Sequence, residues 1–121
     1  MPIERWTAAQ VLALAPDASS AKGARSVSGA GSWAATGLNE ELLWGLCRGS
    51  GKHPYQAGVD LTEPAYRCSC PSRKFPCKHA LGLLLLWAAG EVGSQPAPEW
   101  ATQWREARTA RAAQSVTRRG R

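Results

Sequence analysis

Three of the chain's four cysteines and one of its two histidines fall between Cys68 and His79. The stretch reads Cys68-Ser69-Cys70-Pro71-Ser72-Arg73-Lys74-Phe75-Pro76-Cys77-Lys78-His79, a C-x-C-x6-C-x-H spacing. Thiolate and neutral imidazole are the ligands Zn2+ prefers, and a structural site takes four of them in a tetrahedron. The pattern therefore points to one structural Zn2+ held by Cys68, Cys70, Cys77 and His79. A disulfide is the competing use of these thiols. Cys68 and Cys70 are too close in sequence to pair well, and no export signal accompanies them. The C-x-x-C of redox proteins is absent. So are the H-x-E and P-C-x-x-C of zinc deaminases. A catalytic zinc keeps one position for water, whereas four protein ligands fill this one.

The segments around the ligands must deliver them to one point. Residues two apart on an extended strand face the same way, so Cys68 and Cys70 suit the end of a strand. Pro71 lacks an amide hydrogen and stops the ladder there. Cys77 and His79 precede the apolar run Ala80 to Ala89. A helix over that run would aim its N-terminal amides at the Cys77 thiolate and favour its charge. Arg67, Arg73, Lys74 and Lys78 are expected around the site, where they would offset the net negative charge of three thiolates on Zn2+.

The motif resembles the SWIM zinc finger, with Cys68, Cys70, Cys77 and His79 matching the family's four ligand positions. Trp44-Gly-Leu-Cys-Arg-Gly-Ser-Gly, Pro54-Tyr55 and Val59-Asp60-Leu61 extend the resemblance from Trp33 to Trp87, in the manner of the bacterial stand-alone branch. The resemblance implies a zinc-stabilised module that contacts DNA or protein. For the bacterial branch it implies an accessory role in a multi-component assembly.

Hydrophobic alternation places the remaining elements. Thr7 to Ala15 reads as a helix with a Thr7–Gln10 capping box and a Trp6–Val11 staple, ended by Pro16. Asp17 to Ala24 reads as a second helix capped by Asp17. Ser26 to Ser32 is a Gly/Ser-rich loop, followed by a short strand from Trp33 to Thr36 that leads to Gly37 and is not counted in the sheet below. Strands are expected over Glu41–Arg48, Tyr55–Leu61 and Ala65–Ser69. Together they predict an α+β fold: a small three-stranded antiparallel sheet carrying the zinc finger. The helix Lys78–Ala89, apolar on most faces, is expected between this sheet and the flanking N- and C-terminal helices. Pro98 to Ala113 reads as the C-terminal helix, with Trp100, Ala101 and Trp104 on its docking face. The resulting division is an N-terminal helical segment and loop (1–32), the zinc domain (33–93), the C-terminal helix (94–113) and a basic disordered tail (114–121).

The 121 residues carry a net charge of +6. Cys47–His79 holds six Lys/Arg against two acids, and Glu99–Arg121 holds six Arg against two acids, a local +4 in each. Such an excess favours polyanions or acidic protein surfaces. The candidate contacts to DNA, RNA or a protein partner are Lys52, Arg73, Lys74, Phe75, Lys78, Arg105, Arg108 and Arg111. Phe75 between cations suits stacking on a single strand as well as covering the metal. No small-molecule substrate or membrane is expected. The run Ala80–Ala89 is well short of the roughly 20 residues that span a bilayer, and a cytoplasmic location follows from the missing signals. Gly49-Ser50-Gly51-Lys52 imitates a phosphate loop, but His53 stands where Ser or Thr is needed. Cys47, outside the ligand set, reads as a small buried hydrophobe. Neither histidine has a nucleophile and carboxylate arranged with it, so the chain is read as non-enzymatic.

Overall fold

The computed structural model describes residues 6–48, 53–62, 65–70 and 76–119, with backbone alone at Ala30 and 111–119. Helix α1 spans Ala8–Leu12. Its capping box is formed: the Gln10 amide donates to Thr7 Oγ1 (3.1 Å) and the Thr7 amide to Gln10 Oε1 (2.7 Å). Helix α2, Ala18–Ser26, starts at Asp17, whose carboxylate accepts from the Ser20 amide at 2.7 Å. A 3-10 turn, Ala30–Ser32, then leads into the sheet.

The sheet has four strands, not three. They are β1 (Trp33–Asn39), β2 (Leu42–Cys47), β3 (Tyr55–Asp60) and β4 (Ala65–Cys68), antiparallel and in sequence order. The strand missed as a sheet member is β1. Its Ala34, Ala35 and Gly37 have low strand propensity, and pairing with β2 supplies what propensity does not. Its turn also lacks the usual signal. Asn39 pairs with Leu42, leaving Glu40-Glu41 as a two-residue loop. Glu40 takes φ 57, a conformation that glycine or asparagine normally fills in tight hairpins.

Strand β2 is apolar in both directions, so both faces of the sheet need cover. Leu43 and Cys47 face helix α3 (Lys78–Ala88), together with Trp33, Ala57 and Val59. Leu42 and Trp44 face the other way, toward helix α4 (Glu99–Arg119), where they meet Ala101 and half-buried Trp100 and Trp104. The expected burial of α3 between the sheet and both terminal segments is thus half right. Helices α1 and α2 pack on α3, but α4 lies across the sheet. Helix α4 also runs on to Arg119, past the expected end at Ala113, because no Gly or Pro interrupts it before then.

Every residue of α3 from His79 to Trp87 is buried. Trp6 closes its far end by packing edge-on against Trp87, with ring centroids 5.6 Å apart. The helix stops in a Schellman turn: Gly90 at φ 80, its amide to Trp87 O (2.9 Å), and the Glu91 amide to Leu86 O (3.0 Å). The linker after it lies along the outer edge of β1. The Leu38 amide donates to Gly93 O (3.0 Å) and the Gln95 amide to Leu38 O (3.2 Å).

Helices α2 and α3 approach closely at Gly82. A Cβ there would stand 2.5 Å from Val27 Cγ2 and 3.1 Å from Val27 O. Gly82→Ala normally gains about 1 kcal/mol of helix propensity. Here overpacking outweighs it, with a typical cost of about 1–3 kcal/mol. The variant is expected to melt at lower temperature than the wild type by circular dichroism; an equal or higher midpoint would contradict the α2–α3 contact.

Candidate metal centre

Strand β4 and helix α3 each bring two ligands. Cys68 ends β4, and Cys70 follows in the bend after it. The ladder runs one residue beyond the strand: the Ser69 amide donates to Gln56 O (3.1 Å), and Ser69 Oγ accepts from the Gln56 amide (2.8 Å). This fixes the chain just before Cys70. Cys77 is the N-cap of α3 and His79 lies in its first turn. Cys77 and His79 are buried, Cys68 and Cys70 half-buried.

The ligand atoms of Cys68, Cys70, Cys77 and His79 all lie within 4.8 Å of one another. Cys68 Sγ is 3.6 Å from His79 Nδ1. Zinc bond lengths of about 2.3 Å to sulfur and 2.0–2.1 Å to nitrogen, at a tetrahedral angle, give about 3.6 Å for that pair. Three sulfurs and an imidazole within this radius match the donor set of a structural zinc site. The group is positioned to hold one zinc ion.

Electrostatics agree. Cys77 is lowered, to about 4, first by a hydrogen bond from Cys68, with His79 and the Ala80 amide acting the same way against burial. The Ala80 N–H acts here as a dipole near the thiolate, since Cys77 forms no conventional side-chain cap. Cys68 is pushed up, first by the same bond to Cys77 and then by burial. Without metal, the closeness of the two sulfurs and their burial thus favour one proton shared by the Cys68–Cys77 pair.

The structure sorts the other sequence-derived candidates. Cys47 is fully buried outside the ligand group, and burial pushes its thiol up. Lys78 is exposed, its stem lying over Gly23 of α2. Arg67 departs from expectation: it does not join the metal site. Strand alternation turns it to the opposite face, where its guanidinium lies 5.8 Å from the Trp100 ring centre. Arg105 pairs with Glu40 (3.4 Å) and Glu41 (3.6 Å). Arg108 reaches Asp60 (3.7 Å) and lies over Trp104 (5.7 Å). Lys52, Arg73, Lys74 and Phe75 lie outside the described residues, as does the side chain of Arg111.

One residue beside the metal escaped the sequence reading. The ring of Tyr55 stacks on His79, with centroids 4.8 Å apart and planes at 37°. Tyr55 belongs to the alternating face Tyr55, Ala57, Val59, which is a sequence signal. That its neighbour is a ligand histidine follows only from the packing of α3 on β3.

Residues 59–88 match the family model of the SWIM zinc finger. This stretch is similar to the SWIM zinc finger. The match takes in the end of β3, β4 and α3, and it contains all four ligands. Strands β1 and β2 lie outside it. Comparison with curated proteins and with solved structures gives no match.

Two outcomes follow for the SWIM centre. Purified protein should carry one zinc per chain; Cys68→Ser should lose it, and Cys47→Ser should keep it, by elemental analysis. Because metal must displace the proton held by the Cys68–Cys77 pair, zinc affinity should rise with pH and fall as acid restores that proton. Titration calorimetry in two buffers of different ionisation enthalpy should report proton release on loading. Proton-neutral binding would contradict a proton held between Cys68 and Cys77 in the metal-free site.

Proposed function

We propose that the chain is a non-enzymatic binding module whose fold depends on one structural zinc, and that its zinc side contacts nucleic acid. The observation that carries the first part is the closed ligand set. Four protein donors converge on one point, which leaves no coordination position for a water nucleophile. Zinc binding in such sites is worth on the order of 10–16 kcal/mol, comparable to the whole stability of a small domain. A cleft of about 600 Å³ lies elsewhere, between α4 and the β1–β2 turn. Its lining includes Glu40, Arg105 and Glu106 but no histidine or cysteine. Among the described residues, the group of side chains placed to hold a metal lies at Cys68, Cys70, Cys77 and His79 and not in this cleft.

Charge supports the nucleic-acid part. The segment from Cys47 to His79 carries +4. Arg48 and Lys78 in it are exposed, as are Lys22 and Arg25 on α2, beside Gly23 and the Lys78 stem. Lys52, Arg73, Lys74 and Phe75 add three cations and an aromatic to the same segment. Arg105 and Arg108 are engaged with acids of the sheet, which weights the reading toward the zinc side and away from α4.

A second reading, a protein adaptor without nucleic-acid contact, is favoured by the face opposite the metal. There Arg67 and Arg108 lie over half-buried Trp100 and Trp104. Arginine and tryptophan are the residue types that most often anchor protein interfaces.

A chelator should melt the β4–α3 region, with loss of helical circular dichroism restored by added zinc. A metal-free protein with an unchanged melting curve would end the structural-zinc reading. Binding to mixed single-stranded oligonucleotide should weaken with salt, with log K falling linearly in log salt. Lys78→Glu should reduce that slope by about 1. Absence of binding at low salt would leave the adaptor reading.

A further inference from the structure

The two edges of the sheet differ. The outer edge of β1 is covered by residues 93–95, which bond to Leu38 on both its amide and its carbonyl. The outer edge of β4 has no strand beside it among the described residues. Alternation of the ladder says which groups it offers. The bond from the Ser69 amide to Gln56 O makes Gln56–Ser69, Gly58–Arg67 and Asp60–Ala65 the bonded pairs. The backbone N–H and C=O of Tyr66 and Cys68 therefore point outward, away from β3.

Arg67 lies between them and faces the α4 side. Its guanidinium lies over Trp100, and its Nε is shut off from solvent with no hydrogen-bond acceptor among the described residues. A buried donor without an acceptor is unfavourable, and a carboxylate is the strongest acceptor a guanidinium can be given. The edge thus presents main-chain donors and acceptors together with one half-buried cation on the α4 side.

We propose that β4 accepts a fifth strand: an extended segment of a partner protein carrying Asp or Glu opposite Arg67. This deepens the binding-module reading and rests on it. A nucleic acid cannot complete the ladder, because it has no alternating amide and carbonyl groups. A second copy of this chain is also a poor occupant. The antiparallel register that uses both outward residues pairs Tyr66 with Cys68 of the other copy and sets Arg67 directly opposite Arg67, and like charges so placed are destabilising. An acidic strand meets the same position with opposite charge. Main-chain bonds would supply affinity, and the side chain opposite Arg67 would supply selectivity.

The test uses the zinc-loaded full chain and a fluorescent seven-residue peptide of alternating Val and Glu. Anisotropy should show binding about tenfold tighter than for the same peptide with Lys in place of Glu. N-methylation of alternate peptide amides on one edge should abolish binding. Arg67→Gln should weaken it about tenfold with one zinc per chain retained. Hydrogen exchange of the wild type should show the Tyr66 and Cys68 amides slowed by the peptide, a measurement that does not depend on the variant folding. Equal binding of the N-methylated peptide, or no slowing of those two amides, would overturn the strand-addition proposal. If no peptide binds while zinc stays at one per chain, the β4 proposal fails and the zinc module stands. Loss of structural zinc would remove both.

Discussion

The tie between β4 and α3 governs the rest of this structure. Cys68 and Cys70 come from the end of a four-residue edge strand. Cys77 and His79 come from the first turn of a helix buried along most of its length. Neither element is held strongly by hydrogen bonding alone, since an edge strand has one neighbour and a helix start has unpaired amides. Bringing three thiols and an imidazole together is unfavourable unless protons or a cation screen them. The Cys68–Cys77 hydrogen bond is the partial solution without metal. A zinc ion is the complete one, and it converts four weakly held positions into one rigid joint.

That joint sets the orientation of everything on β4. With Cys68 facing α3, Tyr66 follows it toward the main core and Arg67 is sent to the far face. The far face is built for it. Gly58, the partner of Arg67 across the ladder, has no side chain, and Trp100 and Trp104 occupy the space above it. A Cβ at Gly58 would stand 3.4 Å from Trp104 Cζ3, at ordinary van der Waals distance, so α4 packs directly on this part of the sheet. Arg105 and Arg108 then hold α4 in place against Glu40, Glu41 and buried Asp60. The carboxylate of Asp60 also accepts from the amide (3.1 Å) and hydroxyl (2.6 Å) of Thr62, so it is well satisfied despite its burial.

The two faces of the sheet consequently have different characters. The α3 side is a continuous apolar core that ends at the metal. The α4 side is a smaller cluster in which aromatic rings lie under guanidinium groups. The positive charge concentrated in Cys47–His79 and in Glu99–Arg121 is used differently in the two segments. On α4, Arg105 and Arg108 pair with acids of the sheet, whereas Lys78, next to ligands Cys77 and His79, is exposed.

The sequence alone determined the ligand set, the helix behind it, both N-terminal caps and the docking face of the last helix. These depend on residue type and spacing over a few positions, where local chemistry is sufficient. Tertiary structure decided what depended on partners far along the chain. Strand β1 is extended because β2 lies beside it, despite its alanines and glycine. Glu40 makes the turn between them without the residue types that normally announce one. Tyr55 became the neighbour of His79, and α4 crossed to the far face, because a strand apolar on both sides cannot leave either to water. Arg67 was misplaced for a simpler reason. Its position was inferred from nearness in sequence to a ligand, whereas the two-residue period of a strand places such a neighbour on the opposite face.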